Sequence, residues 1–66
     1  MINWTKLISS DQKAVVKFAT GNLSSQAFQQ TFTGPENPAR FAVRNHGTLY
    51  ARRLARKALR RRGVEV

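Results

Sequence analysis

Glycine and proline punctuation constrains this 66-residue chain more than any other feature. The firmest break is Gly34-Pro35-Glu36-Asn37-Pro38, because two prolines and a glycine so close together cannot continue a helix. Gly21-Asn22 is a second break, since both residue types tolerate the left-handed conformation at a helix C-terminus. Gly63 is a third. With Gly63 in the position just past a helix, Val64 can fold back onto Leu59. Between these marks the apolar residues recur at helical spacing, and strand signals are weak throughout.

The first segment opens with a short helical turn over Trp4–Ile8. Ser9 lies three residues before Gln12, the capping-box spacing, and predicts the start of a longer helix there. Ala14, Val15, Phe18 and Ala19 then share one face, with Lys13 and Lys17 turned away. Ser24 caps the next helix, and Leu23 before it is placed to staple onto Phe28. Phe28 and Phe32 line the inner side of that helix, with Gln26, Gln29 and Gln30 mostly outward. Asn37 caps a further helix with Pro38 in its first turn, and Phe41 carries the apolar face onward. Residues 38–62 read as one long kinked helix or two short ones. The run Asn45-His46-Gly47-Thr48 favours a stop and a restart, with Thr48 as the new cap. The expected fold is therefore all-α: a single small domain over 1–66, a bundle of three to four helices, with an arginine-rich helix over 48–62.

A chain this short buries a modest share of its surface, so its core is marginal unless a partner adds to it. There is no cysteine, which removes disulfides and thiolate metal sites. The large apolar side chains, among them Trp4, Leu7, Ile8, Val15, Phe18, Leu23, Phe28, Phe32, Phe41, Leu54 and Leu59, suffice for one small core.

Charge is distributed very unevenly. Twelve Lys and Arg stand against three acids, a formal net charge of +9. Residues 1–39 nearly balance, with Lys6, Lys13 and Lys17 against Asp11 and Glu36. Residues 40–62 carry Arg40, Arg44, Arg52, Arg53, Arg56, Lys57, Arg60, Arg61 and Arg62 and no acid. On a helical wheel Ala51, Leu54, Ala55, Ala58 and Leu59 gather on one side. Arg52, Arg53, Arg56, Lys57 and Arg60 gather opposite, with Arg61 beside them. The alanine side permits close approach to another helix, and the other side presents guanidinium groups.

Such a face fits phosphate. Guanidinium donates two parallel hydrogen bonds to phosphate oxygens and sheds its water more readily than an ammonium. Solvated faces usually mix signs, whereas here like charges recur at i,i+3 and i,i+4 and repel. Arg40 and Arg44 extend the basic set upstream. Six phosphate contacts on a DNA duplex would give a salt slope of about −5. Tyr50, at the edge of the face near Arg53 and Lys57, either stacks on a base or seals the core with its hydroxyl in water.

Other chemistry has little material. Three carboxylates, one histidine and no cysteine offer no acid–base, nucleophilic or metal constellation, and no glycine-rich phosphate loop is present. His46 reads as a turn residue, and Trp4, Phe18, Phe28, Phe32 and Phe41 read as core. No enzyme activity, cofactor or metal is expected.

No apolar run reaches the ~20 residues that span a bilayer, and Met1-Ile2-Asn3-Trp4 does not resemble a secretory signal. The expected setting is the cytoplasm or the inside of a nucleoprotein particle. In a eukaryote Arg52–Arg62 can also serve as a nuclear address. The leading expectation is a small basic protein that binds nucleic acid, DNA or RNA, mainly through phosphate contacts from its last helix. The alternative is an assembly protein whose basic helix docks on an acidic protein surface or within a virion or ribosome. Binding to a membrane surface ranks third, because the apolar side of the basic helix is alanine-rich and would insert only shallowly. A helix-turn-helix over Ser10–Phe32 is disfavoured, because its second helix has glutamines but no basic residue.

Overall fold

The computed structural model describes residues 3–34 and 37–66, and the described residues form four helices and no strand. They are α1 (Trp4–Ala19), α2 (Ser25–Thr31), α3 (Pro38–His46) and α4 (Thr48–Arg61). Met1 and Ile2, read above as part of a non-secretory start, lie outside the described residues, as does the Pro35-Glu36 part of the central break. The all-α bundle is as expected. α4 packs chiefly along α1 and then on α3, while α2 bridges α1 and α3.

α1 begins where Asn3 Oδ1 accepts the Lys6 N–H at 3.1 Å. It is two helical stretches joined at Asp11, whose backbone is non-helical (φ −155°, ψ 64°). The expected restart at Ser9 thus falls two residues later, and the cap is Asp11, whose Oδ1 accepts the Ala14 N–H at 3.4 Å. Ser10 stays helical, with its hydroxyl donating to the carbonyls of Lys6 and Leu7 at 3.0 Å each. The physical reason lies in the first stretch. Trp4, Leu7 and Ile8 are all buried, so the opening turn is anchored in the core and runs on instead of yielding at Ser9. At the far end Gly21 N–H donates to Phe18 O and Asn22 N–H to Lys17 O, at 3.1 and 2.8 Å. This is the paired closure of a Schellman motif.

α2 starts as its sequence implies, with Ser24 Oγ accepting the Ala27 N–H at 3.2 Å. Leu23 packs against the same core that holds Phe28. The Phe28 ring stacks on Phe18 at 4.0 Å between centroids, and Phe32 meets it edge-on at 5.0 Å. Asn37 then does two jobs from one buried side chain. Its Oδ1 caps α3 by accepting the N–H groups of Ala39 and Arg40 at 2.9 and 3.1 Å. Its Nδ2 donates back to the carbonyls of Gln29 (3.1 Å) and Phe32, which tethers the end of α2 to the start of α3.

Two short helices, not one kinked one, cover residues 38–61. Gly47 (φ 85°) separates them, its N–H closing α3 on Val43 O and its C=O receiving the Ala51 N–H that opens α4. An L-residue other than glycine rarely adopts that φ. One glycine therefore serves both ends, and Thr48, the expected cap, is instead the first helical residue. The inner faces here are small: Ala39 and Ala42 on α3, Ala51, Ala55 and Leu59 on α4, all with no exposed surface. Phe41 was expected on the inner face but is 51% exposed. It sits two residues from Ala39, about 200° around a helix at 100° per residue, so burying one turns the other out. α4 ends on Gly63 as expected, with Val64 N–H donating to Leu59 O and Gly63 N–H to Arg60 O, both at 3.0 Å.

Candidate nucleic-acid interface

The buried line Ala51, Ala55, Leu59 fixes how α4 is rotated, and so decides which basic side chains reach solvent. Arg53, Lys57, Arg60 and Arg61 are exposed along the opposite side, with Arg56 half-buried at its margin. Arg53 to Arg60 covers two helical turns, about 10 Å of axis at 1.5 Å per residue. That length matches about three phosphates along one strand of a duplex. The spacing i, i+3, i+4, i+7 sets these cations in one band, where they repel one another until a polyanion screens them.

Arg52 does not belong to that band. It is half-buried, with Nε donating to Phe18 O at 3.1 Å and a terminal guanidinium nitrogen to Leu23 O at 3.3 Å. Its guanidinium carbon lies 5.2 Å from the centre of the Phe18 ring. The cation therefore closes the C-terminus of α1, where carbonyls lack helical partners and the helix dipole favours positive charge. This corrects its placement among the outward arginines. Arg52 is seven residues before Leu59, and positions seven apart differ by only about 20° on the wheel, so it shares the edge of the buried stripe.

Arg60 is exposed and folds its guanidinium over the end of the helix, with two nitrogens donating to Val66 O at 3.1 and 3.0 Å. Arg62 is the C-cap residue and is exposed. Arg40 and Arg44 are exposed on the outer side of α3, one turn apart. With Gly34, Asn37, Phe41 and Asn45 they line a shallow depression.

Tyr50 does not seal the core. It is 49% exposed and lies against His46, with ring centres 4.7 Å apart. His46 in turn meets Phe41 edge-on at 6.5 Å. Next to Tyr50, Leu49 is 74% exposed. Phe41, His46 and Leu49 were not among the expected site residues. The signal for Leu49 and Tyr50 was present in the wheel, since both begin the same side that Arg53 and Lys57 continue.

Among the described residues no three His, Asp or Glu side chains gather as a metal site, and no helix is long and apolar enough to cross a membrane. Comparison with protein-family models, with curated proteins and with solved structures gives no match for this chain.

Proposed function

We propose that this is a small, non-enzymatic protein that binds nucleic acid through the outward face of α4, chiefly by contact with phosphates. The observation that carries the reading is the band Arg53, Arg56, Lys57, Arg60 and Arg61, fixed outward by a buried alanine line and unrelieved by any acid from residue 37 to residue 64. Arginine predominates in that band over lysine, which suits bidentate phosphate contact better than mere solubility. Arg40, Arg44 and Arg62 add to the same field. Arg52 does not take part, because its donors are engaged within the fold. The setting that suits such a protein is the cytoplasm or the interior of a nucleoprotein particle.

The test is fluorescence anisotropy of the full chain with a labelled DNA duplex across a salt series. With Arg53, Arg56, Lys57, Arg60 and Arg61 each neutralising a phosphate, log K falls against log salt with a slope of about −4.5. No binding at low salt, or binding indifferent to salt, would overturn the reading. Deleting α4 is not a usable control, because Ala51, Ala55 and Leu59 leave with the charges.

The exposed Phe41, Leu49 and Tyr50 also favour a second reading, in which the basic helix docks on an acidic protein surface within an assembly. A complex that persists after nuclease treatment distinguishes the two.

A further inference from the structure

The ring cluster where α3 meets α4 is the feature the phosphate contacts leave unused. Phe41 is about half exposed, Tyr50 likewise, and His46 links them into one continuous aromatic surface across the α3–α4 corner. None of these rings serves the core, which is completed by Phe18, Phe28 and the alanines. Phe41 lies between Arg40 and Arg44 beside the shallow depression on α3. Tyr50 lies one helical turn before Arg53 on the outward face of α4. Planar rings and guanidinium groups therefore alternate over a few residues on two adjoining helices.

Resting on the proposed nucleic-acid reading, we propose that this corner is a stacking platform for unpaired bases, so that the protein prefers single-stranded nucleic acid to a closed duplex, which it holds by phosphate contacts alone. The charge pattern selects this occupant. A single strand presents a flat apolar base and an anionic phosphate at every nucleotide, and the corner presents exposed rings together with cations on the same two helices. In a duplex the base faces are already stacked on one another, and the rings would have nothing to cover them. An acyl surface would call for aliphatic side chains on a broad stripe, and among the described residues Leu49 is the one exposed large aliphatic side chain. Base faces and phosphates are common to DNA and RNA, so both should bind.

The experiment compares labelled single-stranded pyrimidine DNA, the matching RNA and a DNA duplex, each about 12 nucleotides long, within the usual footprint of such sites. Wild type is set against Phe41→Ala/Tyr50→Ala and Phe41→Leu/Tyr50→Leu, with circular dichroism confirming that each variant keeps its helices. The leucine pair retains apolar bulk and loses the flat face. The expected result is tighter binding of the single strands than of the duplex. Both variants should then lose tenfold to a hundredfold, as an order of magnitude, on single strands, with little change on duplex and an unaltered salt slope. Single-strand affinity unchanged in the ring variants, or an equal loss on duplex, overturns the stacking platform while leaving the phosphate reading intact. Failure to bind any of the three nucleic acids overturns both, and variant-sensitive binding to vesicles of anionic phospholipid at physiological salt would assign the rings to a membrane surface instead.

Discussion

The two halves of the molecule are built on opposite plans. Residues 3–34 put their large side chains inward: Trp4, Leu7, Ile8, Val15, Phe18 and Phe28 are buried, and the exposed surface carries three lysines and several amides. Residues 37–66 bury alanines, a single leucine and the capping Asn37, and turn Phe41, Leu49, Tyr50 and most of their arginines outward. The first half supplies the volume of the core, and the second closes it with a thin, smooth face. Small inner residues let α3 and α4 approach closely and leave their outer sides free for other contacts. In a chain this short, apolar side chains left out of the core forgo stability that the fold can scarcely spare. That supports the proposal that the outer side of α3 and α4 meets a partner.

The comparison breaks most visibly at the phenylalanines. Phe28→Ala removes a fully buried ring from the stack with Phe18 and should destabilise by about 3–5 kcal/mol, which approaches the whole stability of so small a domain. Phe41→Ala, the same chemical change in the other half, should shift stability by no more than about 0.5 kcal/mol. Urea unfolding of the two variants side by side checks the contrast, and equal losses would refute it.

A second break concerns the smooth face. Ala55 has no exposed surface, and Ala55→Leu should cost about 1–3 kcal/mol by forcing α4 away from its neighbours. Wild-type stability in that variant would mean that close approach is not what the alanines provide. Next in size is Arg52→Ala, which strips one hydrogen bond from Phe18 O at the end of α1 and one from Leu23 O in the turn before α2, and should cost about 1–2 kcal/mol, lowering Tm by roughly 4–16 °C. Arg52→Lys should recover only part of this, because an ammonium cannot reproduce the two-pronged contact with Phe18 O and Leu23 O.

Much of this architecture was legible from the chain alone. The breaks at Gly21, Gly47 and Gly63, the caps at Ser24 and Asn37, and the alanine side of α4 follow from local rules that need no tertiary knowledge. The misreadings share a cause. Apolar spacing points Phe41 inward and the helical wheel groups Arg52 with the outward cations, but the rotation of α3 and α4 within the bundle turns the first out and tucks the second against α1. That rotation is set by how closely α3 and α4 approach, which small residues govern and hydrophobicity alone does not rank. The kink at Asp11 was displaced for a related reason, since Ser9 and Asp11 are both good caps and the burial of the preceding turn chooses between them. At the candidate site the arginine band was legible, while the ring cluster was not, because Phe41, His46 and Tyr50 meet only once the Gly47 turn sets α3 against α4.

The smallest expected effect on stability accompanies the largest on binding. Neutralising Arg53, Arg56 and Lys57 together should leave Tm near the wild-type value, because none of these side chains is fully buried. The most direct test of the account titrates that triple alanine variant and Arg52→Ala against the same duplex over a salt series. The account predicts that the triple variant loses about 2–3 units of salt slope with its fold intact. Arg52→Ala should instead lose stability and keep the slope. A triple variant with the wild-type slope, or an Arg52 variant that alone abolishes it, would contradict the division of labour on which the proposed function stands.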